Sequence, residues 1–200
     1  IYKEELDSVT TEYIRNAAPL HDIGKITITD IILQKPASLT QEEYDIMKHH
    51  SAEGGRLIRE NMGRLADRCF VEIAANMASY HHEKWNGSGY PDGLKEDEIP
   101  ISAQAVSLAD VYDALTSVRC YKNAYDHDTA IQMILEGQCG QFNPLLLECL
   151  KESSPQLSRT FKKEKDDNRE YYEAQRISEE ILRQNALPCK DYSQRVIEIM

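Results

Sequence analysis

Apolar residues recur at i, i+3 and i+4 along most of this 200-residue chain, while β-branched residues alternate nowhere for long. That spacing lays an apolar stripe along one side of a helix and offers no pleated face, so an all-α fold is predicted. Residues 10–24, TTEYIRNAAPLHDIG, suit a helix with Ile14, Ala17 and Leu20 or His21 on one face, stopped by Gly24. The next segment, KITITDIILQKPAS, reads as short and irregular. LTQEEYDIMKHHSAEGGRLIREN then opens with a capping box, in which Thr40 and Glu43 each satisfy an orphan backbone donor of the first turn. A third helix is expected over about 65–84, with Phe70, Ile73, Ala74 and Met77 turned inward. Pro100 stands where a helix favours its first residue, ahead of ISAQAVSLADVYDALTSV. Further helices are expected near 129–136 and 145–151.

A net charge of −11 leaves no basic stripe for a phosphate backbone, so DNA and RNA are excluded as partners. A small phosphate substrate is still compatible, because metals, Lys and Arg clustered locally override the global field. Five cysteines, at 69, 120, 139, 149 and 189, are odd in number and lack CxxC spacing. They read as reduced thiols of a cytoplasmic protein. No apolar run approaches the roughly 20 residues of a membrane span. Beyond Pro155 the chain is strongly charged, with a thin apolar stripe at Ala174, Ile177 and Ile181. Two regions are therefore expected: a domain over 1–154 and a C-terminal helical extension or linker over 155–200. The stripe is too short to specify a coiled coil, so homodimerisation through it is left open. The first residue is Ile1, so a preceding segment is expected in the parent protein.

Chemistry is concentrated in three short motifs. Of six histidines, five lie in them: His21 beside Asp22, His49 beside His50, and His81 beside His82. Asp110, in SLADVYDAL, adds a carboxylate. Imidazole and carboxylate together suit iron, manganese, zinc or nickel, and the absence of nearby thiolates argues against a closed structural zinc site. Facing helices of a bundle can aim such side chains at one interior point. Neighbouring residues of a helix point about 100° apart. His81 and His82 are thus expected to serve two ions better than one, with Asp22 as a bridging carboxylate, a pattern suited to in-line phosphoryl displacement. His127, isolated in AYDHDTA, reads as a surface or capping residue, and His49 as a neighbour of a working His50.

The loop after the paired histidines, EKWNGSGYPDG, carries the only tryptophan. Gly87 and Gly89 allow positive φ or close approach, Pro91 stiffens the turn, and Trp85 anchors the loop. Tyr90 is placed to offer a hydroxyl or an aromatic face. Arg119 and Lys122 share a helical face and could grip a phosphate, and Lys25 could touch a phosphate or a water.

HDIGKI, KPASLTQEEYDIMKHHSAEGG, HHEKWNGSGYPDGL, IPISAQAVSLADVYDALTSVRCYK and CGQFNP together resemble the HD-GYP family of HD-superfamily phosphohydrolases, over about residues 13–150. The resemblance implies a helical bundle with an interior metal site, and hydrolysis of the bacterial second messenger cyclic di-GMP to linear pGpG and, in some members, GMP. It implies metal ligation by His21, Asp22, His50, His81, His82 and Asp110, and catalytic roles for His21, Asp22 and Lys25. Gly89, Tyr90 and Pro91 match the signature tripeptide, while Arg119 and Lys122 match residues that hold a substrate phosphate. Two divalent ions, iron or manganese favoured, and further signalling domains of the same protein are expected. Family members carry a further metal-binding histidine upstream of the HD pair; twenty residues precede His21 here and none is histidine. Gln104 stands where the family often has Arg, which is expected to affect packing or polar networks. Two alternatives follow: a catalytically impaired module that binds cyclic dinucleotides, or a phosphohydrolase acting on another nucleotide.

Overall fold

In the computed structural model the described residues are 6–64, 66–117 and 124–167, with side chains described as far as 161. They are helical with no strand, as the apolar periodicity requires. The helices are α1 (Ser8–Ala17), α2 (Asp30–Leu33), α3 (Gln41–Met62), α4 (Arg68–Tyr80), α5 (Ile101–Thr116), α6 (His127–Leu135) and α7 (Pro144–Asp167), joined in places by 3-10 turns. The chain forms two compact units, Ile1–Ala109 with Gln141–Asn143, and Asp110–Gly140 with Pro144–Met200. No described helix is long and apolar enough to cross a membrane.

In the first unit α1 ends at Ala17, seven residues before Gly24. Pro19 contributes to the early stop, because its ring lacks the N–H that a further helical turn would use. The chain tightens into 3-10 turns over Ala18–Leu20 and Ile23–Thr27 instead. The capping box of α3 is present, with the Glu43 amide donating to Thr40 Oγ1 and the Thr40 amide to Glu43 Oε2. Asp67 caps α4 through the amides of Cys69 and Phe70.

Helices α3 and α4 pack closely because their contact is built from small residues. A Cβ at Gly55 would lie 1.9 Å from Ser79 Oγ. Ala17, Ile58, Val71, Ala74, Ala75, Met77, Ala78 and Val106 form the main core, with Phe70 and Ile73 partly buried against it. The first half of α5 is buried on almost every side, which marks a helix running through an interior. Gln104, on that stretch, is buried and hydrogen-bonded: its amide donates to the Ile99 carbonyl at 2.7 Å and its oxygen accepts from Asn143 at 2.9 Å.

In the second unit α6 packs on α7, and α7 continues through Pro155. His127, read from sequence as a surface or capping residue, is 6% exposed. Asp126 supplies the cap of α6 instead, accepting from the Thr129 amide. The His127 ring is held between Tyr112 Oη at 2.8 Å and Ser154 Oγ at 2.9 Å, so it ties together α5, α6 and α7.

Candidate metal centre

His21 and Asp22 sit between the two 3-10 turns, where the chain lies hard against α3. Gly24 makes this approach feasible: a Cβ there would fall 1.9 Å from the His50 carbonyl oxygen and 2.6 Å from the Gly54 nitrogen. Only a residue without a side chain fits, and the fit carries Asp22 to His50. His81 is the C-cap of α4 and His82 follows in the turn, so the pair stands just past the helix end. The two rings lie close together, with centroids 4.0 Å apart. Both histidines bring a ring nitrogen to the same cluster, despite the divergence expected of helical neighbours.

Four residues converge. One ligand atom from each of Asp22, His50, His81 and His82 lies within 4.8 Å of all the others. His50 and His81 are 1% exposed and His82 is 6% exposed. His21 adjoins this group, its ring 5.0 Å from that of His81 and its Nε2 3.4 Å from Asp22 Oδ2. The Asp22 carboxylate is shared between two sides: Oδ1 faces His50 Nε2 at 3.4 Å and His81 Nε2 at 3.8 Å, while Oδ2 meets Lys25 Nζ at 2.6 Å.

The backbone decides which ring nitrogen points inward. His50 Nδ1 lies 2.7 Å from the Met47 carbonyl, His21 Nδ1 2.7 Å from that of Ala18, and His81 Nδ1 3.1 Å from those of Met77 and Ala78. A carbonyl only accepts, so each Nδ1 carries the proton, which turns the Nε2 of His50 and of His81 inward. Histidine ligands of metals are commonly oriented by this kind of outer hydrogen bond. Burial pushes His50 below the ordinary imidazole range, and burial with the neighbouring His81 and His50 pushes His82 further below it. Both rings are neutral at pH 7. Burial alone would raise Asp22, but the His21 ring and the Lys25 ammonium outweigh it and hold the carboxyl well below the ordinary carboxylate range.

Asp22 Oδ1 is buried and receives no hydrogen bond. Three imidazoles and one carboxylate, with an acceptor oxygen turned to the same point, fit a divalent cation of borderline softness.

Above the centre lies the glycine-rich loop. Tyr90 stacks on His82, with ring centroids 4.8 Å apart and planes 28° apart, and its ring lies 6.5 Å from that of Tyr44 of α3. Gly87 takes φ +77° as the turn demands, whereas Gly89 is needed for close packing: a Cβ there would meet Glu83 Cα at 2.4 Å. Gly89 thus approaches its own chain rather than a ligand. The Trp85 amide donates to the Gln141 carbonyl and its carbonyl accepts from Glu96, which closes the loop at its base. Pro91 follows Tyr90 on the exposed rim.

His49 is exposed on α3, next to the buried His50. Asp110 is half-buried on the part of α5 that belongs to the second unit. Arg119 and Lys122 lie outside the described residues. Glu83 was not singled out from sequence, because a glutamate after two histidines resembles any solvated carboxylate. It is 4% exposed, and its Oε1 accepts from the amides of Asp92 at 2.8 Å and Gly93 at 3.0 Å. Burial pushes its carboxyl above the ordinary range, against the opposing pull of those amides.

Fold and centre together define the class: an all-helical protein with a buried histidine–aspartate site suited to a divalent metal. The profile of the HD domain matches residues 2–144. A probable cyclic di-GMP phosphodiesterase of Vibrio cholerae is 44% identical over 149 residues, covering 74% of this chain and 34% of the relative. A cyclic di-GMP phosphodiesterase of Thermotoga maritima is 40% identical over 163 residues, covering 82% of this chain and 43% of the relative. A 3'3'-cGAMP-specific phosphodiesterase of Vibrio cholerae is 40% identical over 141 residues, covering 70% and 26% respectively. The chain belongs to the HD domain family, in its HD-GYP group. It spans well under half the length of these relatives.

Proposed function

We propose that the chain is the phosphodiesterase domain of a bacterial signalling protein, hydrolysing cyclic di-GMP to linear pGpG and onward to GMP. The observation that carries this reading is the inward turn of Nε2 on His50 and His81 toward Asp22 Oδ1 within one buried cluster. The names of the relatives supply the substrate class.

His21, Asp22, His50, His81, His82 and Asp110 would hold two divalent ions, iron or manganese. Bound there, such ions supply Lewis acidity and lower the pKa of water from 15.7 towards about 7. The protein residues do the remainder. Asp22 stays ionised, because Lys25 and His21 favour its charged form. Lys25, at 40% side-chain exposure, is available to offset charge on a substrate phosphate, and Arg119 and Lys122 are assigned the same task. Gly89, Tyr90 and Pro91 are assigned to substrate binding, with Tyr90 offering its hydroxyl or aromatic face. Residues 1–154 would form the catalytic domain and 155–200 a connection to other signalling domains of a cytoplasmic protein.

The test is anaerobic incubation with Fe(II) or Mn(II) and cyclic di-GMP, with chromatographic detection of pGpG. Product that is lost in Asp22→Ala supports the hydrolase. Binding of the dinucleotide with no product from any metal form would replace it by a binding module. The 3'3'-cGAMP-specific relative favours a second substrate reading, so the hybrid dinucleotide is run in competition.

A further inference from the structure

Among the described residues, Glu83 Oε2 is buried and receives no hydrogen bond, although Glu83 is not part of the ligand cluster. Burying a carboxylate is unfavourable unless its oxygens are hydrogen-bonded, so a half-satisfied one needs a reason. The satisfied oxygen supplies it. Glu83 Oε1 collects the amides of Asp92 and Gly93, which follow Tyr90-Pro91 directly. On the other side of Tyr90, Gly89 packs against Glu83 Cα, and the Tyr90 amide itself donates to the His82 carbonyl at 3.3 Å. His82 and Glu83 therefore grip the loop before, at and after Tyr90. The ring so held is the one stacked on His82.

We propose that Glu83 is a positioning residue: it pins residues 89–93 so that Tyr90 stays stacked on His82 beside the metal centre. Glu83 touches neither metal nor substrate, and acts through Tyr90. The kinetic part of this proposal rests on the hydrolase reading; the anchoring part does not.

The test uses the full chain loaded with Mn(II), comparing wild type, Glu83→Ala, Glu83→Gln, Tyr90→Ala and the Glu83→Ala/Tyr90→Ala pair. Hydrogen exchange is read first, since it needs no substrate. Glu83→Ala is expected to speed exchange of peptides spanning 84–95 by about tenfold or more while α4 stays protected, as a local opening would. Glu83→Gln is expected to restore protection, because an amide oxygen can accept the same two N–H groups. Turnover is read second. A misplacement of about 1 Å can cost about 100-fold, so kcat/KM should fall on that scale in Glu83→Ala with metal content unchanged. In the Tyr90→Ala background the same change should cost little more, because residues acting through one another are non-additive.

Unchanged loop exchange, additive losses, or metal loss from Glu83→Ala would each overturn the proposal. If Glu83→Ala does not fold, Glu83→Asp carries the test, its carboxylate too short to reach both amides. If wild type hydrolyses no cyclic dinucleotide, the hydrolase reading falls, and loop exchange still decides whether Glu83 is the anchor.

Discussion

His50 Nε2 lies 3.5 Å from His81 Nε2, and each ring turns its Nδ1 to a backbone carbonyl of its own helix. Both Nε2 atoms are thereby turned to the same buried space, where a divalent cation could take both as ligands.

Metal should therefore stabilise the fold. A ligand that binds only the native state at 100 times its Kd adds about 2.7 kcal/mol. The melting temperature of metal-stripped protein should rise on adding Mn(II), read by scanning fluorimetry. His50→Ala should abolish most of the rise. A shift of equal size in that variant would place the ion elsewhere.

Gly24 sets the distance between the HD segment and α3. Gly24→Ala drives a Cβ into the His50 carbonyl and the Gly54 nitrogen, both backbone atoms that cannot swing aside. A loss of about 1–3 kcal/mol is expected from such overpacking. Metal affinity should fall with it, because Asp22 moves away from His50. Urea denaturation and titration calorimetry measure the two effects.

The capping box of α3 makes stability depend on acid. The Lys35 ammonium and the Thr40 amide hold Glu43 below its ordinary value of 4.5. A depressed carboxyl contributes stability that is present above the unfolded pKa and lost as pH falls through the folded one. The stability gap between wild type and Glu43→Gln should be full at pH 7 and shrink below about pH 4.5. Urea melts of metal-free protein across that range check the sign.

His127 is a test of the second unit. His127→Ala removes hydrogen bonds to Tyr112 and Ser154 and leaves a cavity between them. Unmade buried hydrogen bonds cost about 1–3 kcal/mol each, so the variant should be clearly less stable. His127→Gln, which can keep one of the bonds, should lose less in the same denaturation experiment.

What the sequence by itself determined was local. The helices follow from apolar spacing, and Thr40 and Glu43 announce the start of α3 because a capping box involves only neighbours. The three histidine motifs were legible as candidate ligands because that residue combination is chemically distinctive. Tertiary structure decided the rest, because each remaining feature depends on atoms far apart in the chain. The contact of Gly24 with α3 brings Asp22 to His50, and packing of α4 on α3 brings His81 to the same cluster. His127 is buried by partners 15 residues before it and 27 after it, so no local pattern marked it. Glu83 became an anchor only when the loop folded back to offer it two amides. Periodicity tells a side chain which way to face; convergence at a point depends on packing, which sequence-local physics does not contain.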